Sequence, residues 1–387
     1  MTTKDLDKTY IVNSYARQDV TFEKGSGAEL FDEDGKRYID LGGGIAVNSF
    51  GIADDAWADA VIDQVRKLQH MSNLYYTQPQ SKLAQLLCER TGMKKVFFSN
   101  SGAEANECAI KAARKYASDH YGLARPTIVT LWNSFHGRTL TTLSATGQEE
   151  FHKHFGPFTP GFVHVHANNI KDMQSALHKG DVCAVMMELV QGEGGVCALD
   201  RAYVGEVAAM CKSRDILLII DEVQTGNGRT GTLYAYEQFG IHPDIVSTAK
   251  GLAGGLPIGA TLFNEKTQDV LTPGAHGSTF GGNPVSCAGA LSILSRIDEA
   301  LLESVREKSD YIIKELTGAP GVRSVTGMGL MLGIAVDKPA KDILKSCLGR
   351  GVVVLTAKDK IRLLPPLTIP FPLLKEAITI LKEEIAK

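Results

Sequence analysis

The stretch ILLIIDEVQTG (216–226) indicates the fold, because five consecutive apolar residues lead directly into a carboxylate and then into a glycine turn. A short apolar run bounded by turn residues is typical of a strand that is buried on both faces of a sheet. Runs of the same character occur at four other places: VFF (96–98), TIVTLW (127–132), CAVMM (183–187) and IVST (245–248).

Stretches with apolar residues at helical spacing separate these runs, at 104–121, 170–179 and 203–214. Strands that alternate with helices predict right-handed βαβ units, and therefore an α/β fold whose mostly parallel sheet has helices on both faces. After about residue 285 a long helical stretch leads into RSVTGMGLMLGIAV (323–336), VVVL (352–355) and a terminal helix from about Leu373. This change predicts three units: an N-terminal segment (1–50) that packs with the small domain, a large domain (51–285) and a small α+β domain (286–387).

Each predicted strand ends in a loop that carries glycines, charged residues or both. In chain order these loops read SNSGAEA, NSFHGRT, ELVQGEGG, DEVQTG and AKGLAGG. Ligands of an open parallel sheet bind beyond the carboxyl ends of its strands. We therefore expect an active site at this edge, formed in part by Arg138, Glu188, Glu193, Asp221 and Lys250.

The composition argues against several classes of protein. A formal net charge of −3 without a strongly basic stretch argues against a nucleic-acid ligand. No apolar run approaches the ~18 residues of a membrane span, and the first residues lack the apolar core of a secretory signal. The seven cysteines are scattered and contain no CxxC pair, which argues against a disulfide scaffold or a zinc ribbon. We expect a soluble cytoplasmic protein that binds no metal.

Three features at the expected edge have both a structural and a chemical interpretation. The segment Ser99–Ala103 precedes a long helix, so it forms either a capping box of Ser101 with Glu104 or a phosphate site. Asp221 must be paired, either in a structural salt bridge or with a protonated ring nitrogen. Lys250 is either solvated or, when desolvated, a nucleophile for carbonyl carbon. A lysine, an acidic partner and a phosphate site together indicate pyridoxal phosphate.

The run GNGRTG (226–231) fits the GxGxxG pattern of dinucleotide-binding proteins and would indicate a dehydrogenase. The context argues against it, because DEVQT separates the preceding strand from the first glycine and no acidic residue ends a second strand about 20 residues later. We therefore predict a loop at this place.

Seven motifs, in order along nearly the whole chain, resemble those of the class III (ω-amino-acid) aminotransferases, which are fold type I pyridoxal-phosphate enzymes. They are NSGAEANECAIKAARKY (100–116), SFHGRTLTTLSATGQ (134–148), ELVQGEGGV (188–196), LLIIDEVQTGNGRTG (217–231), PDIVSTAKGLAGGLPIGA (243–260), HGSTFGGNPVSCAGAL (276–291) and IRLLPPLTI (361–369). The sequence departs from the family at Gly51–Asp55, where many relatives carry a GHxHP-like run, and at Asn227, where a bulkier residue is common.

The resemblance implies roles for individual residues. Lys250 would carry the cofactor covalently and later move a proton, and Asp221 would hold the cofactor ring nitrogen protonated. The other residues that the resemblance places at the cofactor are Ser101, Gly102, Ala103, Phe135, His136, Glu188, Val223, Gln224 and Thr279. For His136, a histidine that is merely hydrogen-bonded near the edge is an equally good interpretation. Thr279 is expected to reach the phosphate of the neighbouring subunit, which implies a homodimer with shared active sites.

The resemblance also implies two arginines for substrates, since arginine binds carboxylates in a bidentate manner. Arg138 resembles the residue that binds the carboxylate of the amine donor, and Arg362 resembles the one that binds 2-oxoglutarate or glutamate. Glu193 resembles a gate that neutralises Arg362 while the donor is bound, and Ser278 and Tyr15 are further substrate-side candidates. The strongest resemblance is to the bacterial branch that acts on N-acetylornithine, as in SNLYYTQPQ (72–80); ornithine, succinylornithine and 4-aminobutyrate are the alternative donors.

Overall fold

A computed structural model describes all 387 residues. The N-terminal part holds α1 Thr3–Tyr10, β1 Phe22–Ser26, β2 Glu29–Asp32, β3 Arg37–Asp40, the short distorted helix α2 Gly43–Ala46, α3 Asp55–Lys67 and α4 Gln78–Thr91. The central part holds β4 Lys95–Ser99, α5 Gly102–Tyr121, β5 Thr127–Leu131, α6 Leu140–Ala145, α7 Glu149–His152, β6 Phe162–Val165, α8 Ile170–Leu177, β7 Val182–Met187, β8 Val190–Gln191, β9 Cys197–Ala198, α9 Arg201–Ser213, β10 Leu217–Asp221, α10 Tyr236–Phe239, β11 Ile245–Thr248 and β12 Gly259–Phe263. The C-terminal part holds α11 Pro284–Leu294, α12 Glu299–Leu316, β13 Val322–Met328, β14 Met331–Val336, α13 Ala340–Gly349, β15 Val352–Val353, β16 Leu355–Ala357, β17 Lys360–Leu363 and α14 Phe371–Ala386.

The central sheet has seven strands in the order β4-β12-β11-β10-β7-β5-β6. The five strands predicted from apolar runs are all present, each to within one residue at either end. The sheet is mostly parallel, as predicted, but β12 runs antiparallel to both β11 and β4. The sequence did not indicate β12 or β6; for β12 the reason is that Gly259 follows a glycine-rich loop and hides the start of the strand.

Helices cover both faces of this sheet, and alternate residues of each strand face opposite sides. On β10, Leu218 and Ile220 join an apolar cluster with Val204 of α9, whereas Leu217 and Ile219 join a cluster built on α5. Because both faces are buried, the strands are apolar at nearly every position. This arrangement confirms the predicted α/β fold and directs the carboxyl ends of β4, β5, β7, β10 and β11 to one edge.

The C-terminal part forms a second, smaller sheet in the order β13-β14-β17-β16. The run VVVL (352–355) is divided between two sheets. Its end begins β16 of this sheet, whereas β15 pairs in parallel with β3, with Val352 beside Ile39. Strands from the two ends of the chain therefore share a sheet, which supports the predicted packing of the N-terminal segment. The proposed domain boundaries at residues 50 and 285 stay predictions. None of the helices is long and apolar enough to cross a membrane.

Candidate active site

A cavity of about 410 Å³ lies at the edge where these strands end. It brings together most of the residues predicted for the site: Ser101, Gly102, Ala103, Phe135, His136, Arg138, Glu188, Asp221, Val223, Gln224 and Lys250. Residues 222–235, which include GNGRTG, form turns rather than the strand–turn–helix of a dinucleotide site. The loop prediction is confirmed.

Asp221, at the end of β10, is almost completely buried and has partners on both oxygens. Its Oδ2 accepts a hydrogen bond from Asn106 Nδ2 at 2.7 Å and lies 2.8 Å from His136 Nδ1. Its Oδ1 accepts from the Val223 amide at 3.0 Å. A buried carboxylate needs such partners to offset its desolvation. His136 is thus bonded to Asp221, and it lines the cavity as well.

Asn106 is a site residue that the sequence analysis missed. Its amide also donates to the His136 carbonyl at 2.8 Å, so it joins Asp221 to the loop after β5. The signal was available in the sequence, because Asn106 lies on the same face of α5 as Ala109 and Ala113 and is 1% exposed. A polar side chain on the buried face of a helix requires a partner from another element.

The start of α5 opens on the cavity. Ser101 caps the helix by accepting from the Glu104 amide at 3.2 Å, but the predicted capping box is wrong in its second half. The Glu104 carboxylate accepts from the Asn100 amide at 2.5 Å instead of from Ser101. The amides of Gly102 and Ala103 stand at a helix start, where no intrahelical acceptor exists, and are available to an anion.

Lys250 follows β11 and projects into the cavity from a turn of 3₁₀ helix (Lys250–Leu252). Burial lowers the pKa of Lys250, and the nearby charges of Glu193 and Arg362 act on it in opposite directions. A lysine whose pKa is lowered is more often neutral, and therefore nucleophilic, near neutral pH.

Glu188 joins two loops at the edge of the cavity. Its carboxylate accepts from the Phe135 amide at 2.8 Å and from the Gly192 amide at 3.3 Å. Burial raises the pKa of Glu188 to about 7. The side chain therefore fixes the loop that carries Phe135 relative to the loop that carries Glu193.

The two predicted arginines differ in their surroundings. Arg138 is exposed at the cavity, with its guanidinium carbon 4.0 Å from the ring centroid of Phe151 and 5.6 Å from that of Phe135. Arg362 is buried, and its Nη1 lies 2.5 Å from Glu193 Oε1. Burial alone would raise the pKa of Glu193, but the charge and hydrogen bond of Arg362 outweigh it and lower that pKa. Arg138 is thus available to an anion, whereas Arg362 is already paired with the Glu193 carboxylate.

Five predicted residues are not among those that line the cavity in the single chain. Glu193 and Arg362 lie next to it, since Arg362 Nη1 is 3.4 Å from Oε1 of the cavity residue Gln224.

The other three are Ser278, Thr279 and Tyr15. Ser278 Oγ accepts from Asn100 Nδ2 at 3.2 Å, and Thr279 lines a neighbouring cavity with Phe280. Tyr15 is 68% exposed and contacts Arg17. The fold of one chain does not bring these three to the other site residues, so their roles stay predictions.

Both departures from the family have local structural explanations. In the segment after Gly51, Asp54 caps α3 and binds Arg296 through both of its oxygens, at 2.7 and 3.1 Å. Asn227 is buried, and its amide donates to Thr248 Oγ1 and to the Ala249 carbonyl.

Comparison with known proteins agrees with this geometry. The family model "Aminotransferase class-III" matches residues 10–385. The chain belongs to the class-III aminotransferase family. The chain of this aminotransferase is 52% identical to the acetylornithine aminotransferase of Haemophilus ducreyi, over 99% of this chain and 98% of the relative. It is 45% identical to the acetylornithine aminotransferase of Aquifex aeolicus, over 97% and 99% of the two chains.

Solved structures of the family share the fold of this aminotransferase. The ornithine aminotransferase from Toxoplasma gondii ME49 superposes with a TM-score of 0.95 at 31% identity, covering 100% of this chain and 95% of that one. The acetylornithine aminotransferase from Elizabethkingia anophelis superposes with a TM-score of 0.88 at 30% identity, covering 99% and 97%. The fold is therefore that of the fold type I enzymes.

Class-III aminotransferases use pyridoxal 5'-phosphate (PLP), and the cavity fits this cofactor. The free amides at the start of α5 suit a phosphate, and Asp221 is a buried carboxylate suited to a protonated ring nitrogen. The start of α5 packs closely on Val223, since a Cβ on Gly102 would lie only 2.6 Å from Val223 Cγ1. Lys250 completes the donor set that PLP requires.

Proposed function

We propose that this aminotransferase transfers the ω-amino group of N2-acetylornithine to 2-oxoglutarate, with PLP as cofactor, and so acts in arginine biosynthesis. The products are N-acetylglutamate semialdehyde and glutamate. The observation that carries the proposal is the pair of arginines: Arg138 is free, whereas Arg362 is neutralised by Glu193. Relatives at 42–52% identity over nearly their full length are acetylornithine aminotransferases, which supports this donor.

When bound, PLP supplies an electron sink that stabilises negative charge at the carbon that loses its proton. Lys250 would hold the cofactor covalently between turnovers, and its Nζ would move the proton once substrate has displaced it. Asp221 would hold the proton on the ring nitrogen, and the amides of Gly102 and Ala103 would bind the phosphate together with the Ser101 segment. Val223 and Phe135 would contact the two faces of the ring, and Gln224 its hydroxyl group.

The two arginines would divide the substrates between them. The amine that reacts in the donor lies at the opposite end from its α-carboxylate, so that carboxylate would bind Arg138. Glutamate carries a carboxylate on the reacting carbon, and this carboxylate would displace Glu193 from Arg362. An ion pair that exchanges partners in this way lets one cavity accept two different substrates.

Free ornithine is the second candidate donor, because the fold superposes closely on an ornithine aminotransferase. The surroundings of Arg138 favour the acetylated donor. Phe135 and Phe151 flank its guanidinium, and a neutral acetamide is easier to desolvate beside aromatic rings than a second ammonium group.

The test is a comparison of kcat/KM for N-acetylornithine, N-succinylornithine, ornithine and 4-aminobutyrate, each with 2-oxoglutarate, on one preparation. We expect N-acetylornithine to have the highest value. Equal or better turnover of ornithine would contradict the proposed donor. A visible absorbance band that borohydride bleaches would verify covalent PLP independently of the donor and would exclude a nicotinamide-dependent dehydrogenase.

We further propose a homodimer with shared active sites, located in the cytoplasm, where amino acids are made. Leu74, Tyr76 and Phe280 are exposed, and Asn73 Nδ2 donates to the Ser278 carbonyl at 3.0 Å, so the segments that carry these apolar side chains lie side by side. A surface of this kind is typical of an interface. It would carry Thr279 into the partner's cavity.

Mixed dimers test this arrangement. A Lys250→Ala chain combined with a Thr279→Ala chain contains one site with both residues intact if Thr279 acts across the interface. We expect the mixture to exceed the summed activity of the separate variants; an activity equal to that sum would contradict sharing.

A further inference from the structure

The turn that carries Lys250 is strained. Lys250 has φ +46°, in the left-handed region, and Ala249 before it has φ −166° and ψ −140°. A lysine adopts left-handed φ rarely, and such a conformation persists only where the surrounding structure enforces it. The neighbouring elements therefore have to hold this turn in place.

Three side chains from separate parts of the chain bind alternate carbonyls of the turn. Asn227 Nδ2 donates to the Ala249 carbonyl at 3.2 Å. Ser49 Oγ donates to the Gly251 carbonyl at 3.3 Å, and Trp57 Nε1 donates to the Ala253 carbonyl at 2.8 Å. The carbonyls before, within and after the turn are thus each held from outside.

These three donors link the turn to the rest of the active site. Asn227 lies in the loop that follows Asp221, and Trp57 lies on α3. The Ser49 carbonyl accepts from the Leu367 amide at 2.7 Å, so Ser49 connects the turn to the segment after Arg362. The fit is tight, because a Cβ on Gly251 would lie 2.4 Å from Ser49 Oγ.

Asn227 makes the contact nearest to the lysine. Its amide nitrogen binds both Thr248 Oγ1, at 3.0 Å, and the Ala249 carbonyl, and the side chain is 1% exposed. Its Oδ1 has no partner. A buried amide with an unpartnered oxygen is costly, and a bulky apolar residue at this place would avoid that cost.

We propose that Asn227 is a positioning residue that, with Ser49 and Trp57, fixes the Lys250 turn and thereby the place of Lys250 Nζ in the cavity. The proposal rests on the proposed role of Lys250 as the residue that carries PLP. It predicts that loss of the Asn227 amide slows the reaction of Lys250 with PLP more than it affects the stability of the fold.

Asn227 has a second property that the test must separate. Its own φ is +58°, a conformation that asparagine tolerates better than most residues. Asn227→Gly keeps this backbone freedom and removes the amide, whereas Asn227→Asp keeps the shape and replaces the donor by an acceptor. Asn168→Gly is the matched control, since Asn168 has φ +60°, is exposed and does not line the cavity.

The experiment adds PLP to the full-length apoprotein and follows covalent attachment by absorbance, by borohydride trapping and by mass spectrometry of the Lys250 peptide. We expect Asn227→Gly and Asn227→Asp to slow attachment at least ~5-fold, the rate equivalent of about one lost hydrogen bond. The pH midpoint of the absorbance titration of attached PLP should shift in the same variants. Trp57→Phe, which removes the hydrogen bond to the Ala253 carbonyl, three residues from Lys250, should have a smaller effect, and Asn168→Gly none.

The proposal would be overturned if Asn227→Gly matched Asn168→Gly in both attachment rate and titration midpoint. Asn227 would then matter only for the left-handed backbone conformation that it adopts. Should Asn227→Asp fail to fold, as judged by its thermal unfolding, Asn227→Gly and Trp57→Phe still decide the question. If PLP does not attach to Lys250 in the parent protein, the proposed role of Lys250 fails instead.

Discussion

The two ends of the cavity hold their charges in different ways. At the cofactor end, Asp221 is buried and bonded on both oxygens by Asn106, His136 and the Val223 amide. At the substrate end, Arg138 is exposed and Arg362 is paired with Glu193, which we propose that a substrate carboxylate displaces. The difference indicates that the cofactor end is built to stay constant through both half-reactions, while the substrate end is built to exchange partners.

The strongest test of the cofactor end is the variant Lys250→Ala. Because Lys250 would serve both half-reactions, we expect both to slow by at least ~10³-fold, with PLP still bound through the phosphate site and Asp221. Single-turnover kinetics with each substrate measures this, and Lys212→Ala, an exposed lysine on α9, is the control. Near-parental release of aldehyde product by the variant would show that Lys250 is not the residue that acts.

The substrate end should respond to mutation unequally in the two half-reactions. Arg138→Lys keeps the charge but loses bidentate binding, so kcat/KM for N-acetylornithine should fall by about 10- to 100-fold; the glutamate half-reaction should fall less, because Arg362 would still bind the carboxylate on the reacting carbon. Arg201→Lys is a matched control, since Arg201 also faces an aromatic ring, that of Phe239, outside the cavity. An equal loss in both half-reactions would remove the distinction between the two ends.

Glu193→Ala tests the exchange itself. Without Glu193, Arg362 is unpaired. Glutamate then no longer has to displace a carboxylate, whereas the acetylornithine donor meets an unpaired guanidinium. We expect the ratio of the glutamate to the acetylornithine half-reaction rates to rise by about tenfold, or ~1.4 kcal/mol. Glu206→Ala on α9 should leave the ratio unchanged. A constant or inverted ratio in Glu193→Ala would make Glu193 a structural acid.

The last prediction concerns the pH dependence of stability that Glu188 causes at the edge of the cavity. Glu188 has its pKa raised to about 7 in the folded protein, against 4.5 ordinarily, so between these values the folded state binds more protons than the unfolded state. Stability through Glu188 is therefore complete below about pH 4.5 and is lost as the pH rises to about 7. Glu188→Gln should flatten this decline, gaining at most ~3 kcal/mol relative to the parent across the window.

Denaturant unfolding at pH 5 and pH 7.5 measures that difference. Glu222, which is buried and has its pKa raised to about 7 for the same reason, retains its own pH dependence in both proteins. Parallel pH profiles for Glu188→Gln and the parent would contradict the assignment to Glu188.

The sequence predicted features that depend on local pattern. The strand ends and the loops after them follow from apolar runs and glycines, which is why Asp221 and Lys250 could be placed at one edge. The helical pattern could have marked Asn106 as a polar residue on a buried face, but it could not identify its partner Asp221, because that contact depends on α5 crossing behind β10. The half-formed capping box is a local case: the Glu104 carboxylate accepts from the amide of Asn100, one residue before the expected Ser101, and the motif alone does not distinguish these two donors. Pairing between distant segments is set by tertiary structure, which one sequence does not display.

The reversed strand β12 has a consequence for how the chain is made. In the seven-stranded sheet β4 pairs only with β12, so β4 cannot join the sheet before residue 263 has been synthesised. Translation at about 5–20 residues per second leaves β4 without its sheet partner for many seconds. Pairing across so long a sequence separation is also slow to form. The proposed phosphate site, which directly follows β4, is therefore completed late, when the segment that carries Lys250 already exists.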